Sequence, residues 1–290
     1  MIPTFVIFLR EGIEASMIVA ILLAYLDRTG QRRHFRDVFA GVAAAFVLIT
    51  AGGIAAYLLI HHYAGSRAQT IFETVTYLIA AAALTYMTFW MQTHARTLSS
   101  DLQRRSDEAL SRGARVGMGV LAFQAVGREG LETMVFTLAI VFASSSQAPS
   151  ANHSRWLLAG AVAGLAVAIG LAYWIYKLGH RINLGRFFRI LGVVLMVFAA
   201  GLIADAVENL QQLGWLPSGH VLWNTSGAVA ESSTAGDLFH SLLGYADHPT
   251  ALQVAAWAGY LIISIVALMR ISKRTSRPTR AAGAVPDAAR

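Results

Sequence analysis

Seven stretches of this 290-residue chain, near 2–26, 37–61, 70–93, 116–143, 156–178, 187–209 and 252–270, are apolar and long enough to cross a bilayer. A helical span needs about 17–25 residues, and lipid admits only helices or closed barrels because nothing else satisfies its own backbone. Runs of this length fit helices. The predicted fold is therefore an all-α polytopic membrane protein, with a seven-helix domain over 1–270 and a basic, disordered tail over 271–290. Only 13% of the residues are charged and 56% are hydrophobic, whereas a soluble domain carries about 25% charged residues. The absence of cysteine excludes disulfides and thiolate metal sites. The first stretch does not read as a cleavable leader, since it lacks a basic start and a small-residue cleavage site and holds Arg10, Glu11 and Glu14.

The net charge of +7 is topological. Lys and Arg gather after the first stretch (Arg28 to Arg36), after the third (Arg96 to Arg115), after the fifth (Lys177 to Arg189) and in the tail (Arg270 to Arg290). The opposite side holds only Arg67 and Arg155. The positive-inside rule then predicts an outside N-terminus and a cytoplasmic C-terminus. Nucleic-acid binding is excluded, because the basic residues are spread over four loops without a recognition module.

The chemistry lies in a repeated pentapeptide. Arg10-Glu11-Gly12-Ile13-Glu14 sits within the first stretch, and Arg128-Glu129-Gly130-Leu131-Glu132 within the fourth. Each charge at that depth costs roughly 2.5–3.5 kcal/mol on insertion scales, so six of them imply a use. Glutamates at i and i+3 project from one helix face, and each arginine can reach the glutamate four residues on. Gly12 and Gly130 allow another helix to approach closely. Two such helices packed together would gather four carboxylates and two guanidinium groups, leaving a charge of −2 that calls for a cation, protons or water. All-oxygen ligation suits hard cations such as Fe(III), and serves Fe(II), Mn(II) and Mg(II). The bland explanation is that each arginine neutralises its own glutamates to hold the bundle. The matched motifs and surplus carboxylate weigh against it.

The two motif helices run in opposite directions, so residues 1–93 and 116–209 read as halves of a 3+3 inverted repeat, with the seventh helix outside it. Repeats of this kind place a transporter's site near the midplane. Glu73, Asp205 and Glu208 lie toward the outer ends of the third and sixth stretches and read as an inlet for cations, with ordinary solvation at helix ends as the alternative. Tyr77, Tyr86, Trp90 and Trp174 read as belt or packing residues. The 210–251 segment carries His220, Glu231, Asp237, His240, Asp247 and His248, but their spacing matches no metal motif and reads as a solvated loop.

Paired Arg-Glu-Gly-x-Glu motifs in the first and fourth of seven spans resemble the oxidase-dependent iron permeases, which include fungal high-affinity iron permeases and the permease of the bacterial Efe-type system. Supporting stretches are Phe72-Glu73, Leu84-Thr85-Tyr86-Met87, Asp205-Ala206-Val207-Glu208-Asn209-Leu210, Gly214-Trp215-Leu216-Pro217 and Leu243-Gly244-Tyr245. The resemblance covers about residues 1–270. It implies iron import, as Fe(III) or Fe(II), across the plasma membrane, the inner membrane in a bacterium. Glu11, Glu14, Glu129 and Glu132 would carry the ion, and Arg10 and Arg128 would balance its charge. It also implies a separate extracytoplasmic ferroxidase or iron-delivery partner. Iron enters as substrate, with no permanently bound cofactor and no enzymatic activity expected, and an oligomer is compatible. Three alternatives remain open: an importer of another divalent metal such as lead or manganese, or a proton-coupled cation carrier; a carboxylate-bridged di-iron enzyme, which would want Glu-x-x-His pairs that the motif helices lack; and a structural subunit.

Overall fold

A computed structural model describes residues 2–63, 65–94, 104, 106–108, 114–145, 151–178, 184–227, 233, 236, 239–240 and 243–275. Glu231, Asp237 and positions 276–290 of the expected tail lie outside the described residues. Those that are described form seven long α-helices: α1 (Ile2–Arg28), α2 (Phe35–His61), α3 (Arg67–His94), α4 (Ala114–Ser145), α5 (Ala151–Leu178), α6 (Leu184–Gln212) and α7 (Ala251–Thr275), with a short 3-10 turn at Arg32–His34. No strand occurs among them beyond one isolated antiparallel bridge, Val221 to Thr250.

Five of the helices, α2, α3, α5, α6 and α7, are long and apolar enough to cross a membrane. The remaining two, α1 and α4, are as long (27 and 32 residues) but carry the pentapeptides. In each the motif falls at the middle of the helix, farthest from either end. Helix α6 stops where Gly214 takes φ +75°. There the N–H of Trp215 bonds to Leu210 O at 2.9 Å and that of Gly214 to Gln211 O at 3.0 Å, a left-handed cap that occupies the last free carbonyls.

Helix α1 packs most extensively on α5, α4 on α2, and α3 on α6; α1 and α4 also cross, and α7 lies against α6. Small residues set the closest approaches. A methyl group added at Gly12 would stand 2.8 Å from Ala168 Cβ on α5, and one added at Gly130 would collide with Ile49 Cδ1 on α2. Gly12 thus seats α5, and Gly130 seats α2.

Two buried apolar layers bracket the motifs. Ile7, Tyr77, Leu84, Phe136, Ile140, Leu195 and Leu202 belong to one layer. Ile18, Leu22, Leu26, Val38, Met118 and Ala122 form the other. Along α1 the motif lies between Ile7 and Ile18, and along α4 between Ala122 and Phe136. Large hydrophobic side chains left exposed, such as Phe46, Leu48 and Leu59 on α2 and Ile262 and Ile263 on α7, form the outward face that a lipid environment requires.

Candidate metal site

Where α1 crosses α4, the side chains of Arg10, Glu11, Glu14 and Glu129 have relative exposures of only 3, 3, 5 and 5%. One carboxylate oxygen from each of Glu11, Glu14 and Glu129 lies within 4.8 Å of the other two, a spacing that a single cation could bridge. Arg10 is ion-paired to Glu11 through Nη1 and reaches Glu14 Oε1 from Nη2 at 3.4 Å. This does not exhaust the acceptors. Glu11 Oε2, Glu129 Oε2 and Glu132 Oε2 are all buried without a hydrogen-bond partner. Orphaned carboxylate oxygens in an apolar interior are strongly unfavourable unless a cation or proton fills the gap.

Three of the four motif carboxylates come within that distance of one another. Glu132 lies beside them, its Oε1 3.2 Å from Arg128 Nε. Arg128 is also unlike Arg10. Its side chain is 45% exposed, its guanidinium stacks on Trp90 at 5.3 Å from the ring centroid, and Nη2 lies 3.7 Å from Met87 Sδ. The sequence treated Trp90 as a belt or packing residue. Only the packing of α3 against α4 brings it beneath Arg128, so no local signal marked it.

Glu73, Asp205 and Glu208 do not join this group. They line a separate cavity of about 220 Å³ between α3 and α6, with Gln69, Tyr77, Asn209 and His240. Tyr77 also belongs to the first apolar layer. Gln69 Nε2 donates to Glu73 Oε1 at 2.7 Å. Glu208 receives Gln212 Nε2 at 3.3 Å and Gln253 Nε2 at 3.0 Å, and it also borders a second cavity of about 410 Å³ with Asp247 and His248. Among the described residues Glu11, Glu14 and Glu129 are the one group of three or more such side chains close enough to share a metal ion.

The described part of 210–251 is largely exposed between 214 and 224, as a solvated loop would be, but it is tied to the helices at several points. Gly244, at φ +67°, brings its backbone against Gly201 of α6 closely enough that neither position has space for a Cβ. Thr225 N–H bonds to Asp247 O at 3.0 Å, Leu222 N–H to Pro249 O at 3.0 Å, and Trp257 Nε1 donates to Leu243 O at 2.7 Å. His240 is carried inward by this turn and buried.

The family model for the iron permease FTR1 family matches residues 1–274. Ferrous iron permease EfeU of Escherichia coli O6:H1 (strain CFT073) is 34% identical over 275 residues, covering 93% of this chain and 95% of the relative. Its counterpart in Escherichia coli O157:H7 is 34% identical over 273 residues, 92% of this chain and 95% of the relative. Ferrous iron permease EfeU of Yersinia pestis is 31% identical over 272 residues, 92% of each chain. No solved structure matches the chain. A match along almost the whole sequence, carried by relatives above 30% identity that it covers nearly end to end, means that this chain belongs to the iron permease FTR1 family, membrane transporters rather than enzymes.

Proposed function

We propose that this protein imports ferrous iron across the bacterial inner membrane, through a mid-membrane site made by Glu11, Glu14 and Glu129. The observation that carries the reading is the convergence of three buried carboxylates whose ligand atoms lie within 4.8 Å of one another. With those carboxylates ionised, Arg10 leaves the group at −2, because Arg128 and Glu132 neutralise each other beside it. A divalent ion closes that charge and a trivalent ion overshoots it. The relatives bear the name ferrous iron permease, which agrees with the count.

Seven spans with the N-terminus outside follow from the arginine distribution and from two motif helices long enough to cross. An inverted 3+3 repeat is supported by the packing: exchanging α1, α2, α3 with α4, α5, α6 maps the principal helix pairs onto one another. The apolar layers on both sides of the triad make this an occluded arrangement. Transport then requires the layer around Phe136 and Tyr77 to open outward and the layer around Leu22, Leu26 and Met118 to open inward, in alternation. Arg10 keeps the vacated site from holding a full −3, so that the ion is bound weakly enough to leave. Glu73, Asp205 and Glu208 place negative charge at the outer cavity and draw cations toward it. An extracytoplasmic delivery partner would dock on this outer face.

The test is flux into proteoliposomes of radiolabelled iron, presented as Fe(II) under reducing anaerobic conditions and as chelated Fe(III), with Mn(II) and Pb(II) as competitors. Saturable Fe(II) entry that Mn(II) and Pb(II) inhibit only in large excess is the expected result. Fe(III) entry without reduction, or preferential Mn(II) or Pb(II) flux, would replace this reading.

A further inference from the structure

We propose that the exposed stretch between α6 and α7 is a lipid-seated surface, with Trp215, Val221 and Trp223 lying in the headgroup layer of the outer leaflet. The inference adds a membrane contact outside the spanning helices, and it does not depend on which ion the protein carries.

Exposure and composition mark the stretch. Trp215, Val221, Leu222 and Trp223 are each 45–62% exposed. Between Glu208 and Glu231 the chain has no Asp, Glu, Lys or Arg. Large apolar side chains left open together, without a charge among them, mark a surface that meets a protein or a membrane.

Depth decides between the two. The apolar part of α7, Ala251–Arg270, has 20 residues, about 30 Å of helix, which matches the hydrocarbon core of a bilayer. Ala251 therefore stands at the boundary of that core, on the outer side in the orientation proposed above. The stretch is fastened to this point by a short antiparallel ribbon. Val221 is bridged to Thr250, Ala251 N–H bonds to His220 O at 3.3 Å, and Leu222 N–H bonds to Pro249 O at 3.0 Å. Val221 is thus level with the start of the span.

Trp215 is tied to the same level through α6, whose apolar part ends at Gln212. Its N–H and that of Leu216 both bond back to Leu210 O, at 2.9 and 3.2 Å. In the extended ribbon Val221 and Trp223, two residues apart, project from one face. Tryptophan, an apolar ring with one N–H donor, is enriched at this level of a membrane. The surface also continues into the outward side chains of α7, beginning with Leu252 and including Ile262 and Ile263. Lipid that covers those residues reaches the ribbon without a break.

The native chain has no cysteine, so a single nitroxide label can be attached without background. Val221→Cys and Trp215→Cys are each labelled in the full chain, reconstituted in phosphatidylcholine vesicles. Collisional relaxation is read with oxygen, which concentrates in lipid, and with a nickel chelate, which stays in water on both sides. Ile263→Cys, within α7, supplies the lipid reference, and the free label in buffer supplies the water reference. The expected oxygen-to-nickel ratio lies between the two references at both positions, several-fold above that of the free label. If Val221→Cys does not fold, Trp215→Cys decides alone. A ratio equal to that of the free label at either position would overturn the proposal, leaving the stretch to water or to a soluble partner.

Discussion

Arg128 rests on the face of Trp90, 5.3 Å from the ring centroid, while Arg10, at the same place in the other motif, is buried against Glu11 and Glu14. Two identical sequence patterns have thus taken different parts. One arginine is inside the carboxylate group. Its counterpart sits on an aromatic face and pairs with Glu132.

If Trp90 fixes where the Arg128 guanidinium sits, then Trp90→Leu frees it to move further into the carboxylate group and compete with the ion. A stacking interaction of about 0.5–2 kcal/mol corresponds to a rise of roughly two- to thirty-fold in half-saturating Fe(II). Trp90→Tyr should recover most of the difference. Unchanged Fe(II) dependence of uptake in Trp90→Leu would remove this role.

The arginines should also differ in what their loss does to folding. Arg10→Gln leaves Glu11 and Glu14 buried without their counter-charge, at a cost of about 3–5 kcal/mol. Arg128→Gln removes a half-exposed group and should leave the fold intact. Thermal unfolding of both variants in detergent, followed by size-exclusion profile, reads the contrast. Equal destabilisation would mean that the two sites are more alike than this packing shows.

The motif glycines make a parallel pair. At Gly12 a new Cβ meets Ala168 Cβ at 2.8 Å, whereas at Gly130 it meets the mobile end of Ile49. Gly12→Ala should therefore cost about 1–3 kcal/mol through overpacking and be relieved by Ala168→Gly. Gly130→Ala should be nearly neutral, since Ile49 can turn aside and alanine gains about 1 kcal/mol in helix propensity. Thermal shifts of the two single variants and of the Gly12→Ala, Ala168→Gly double variant measure this.

Much of this was legible in the sequence, for physical reasons. Hydropathy over twenty residues marks a helix wherever it packs, so α1 to α7 fall close to the apolar runs. Charge in such runs is costly, so Arg10, Glu11, Glu14, Arg128, Glu129 and Glu132 stood out without any structure. Helix-to-helix contact was not legible. That α5 seats on Gly12 and α2 on Gly130, that Trp90 lies beneath Arg128, and that Glu11, Glu14 and Glu129 make the tightest group all depend on tertiary packing that no local pattern encodes. The approach of His240 to Asp205, at 4.0 Å, was illegible for another reason: it depends on a turn whose Gly244 touches Gly201, 43 positions away in the chain.

The central claim is that Glu129 completes a divalent-ion site with Glu11 and Glu14, and anaerobic ⁵⁵Fe(II) uptake into proteoliposomes by Glu129→Gln tests it most directly. Arg10 keeps both of its own glutamates in this variant, so it should insert and unfold like the native protein. Its uptake should fall to the level of empty liposomes. Native uptake by correctly inserted Glu129→Gln would contradict the account.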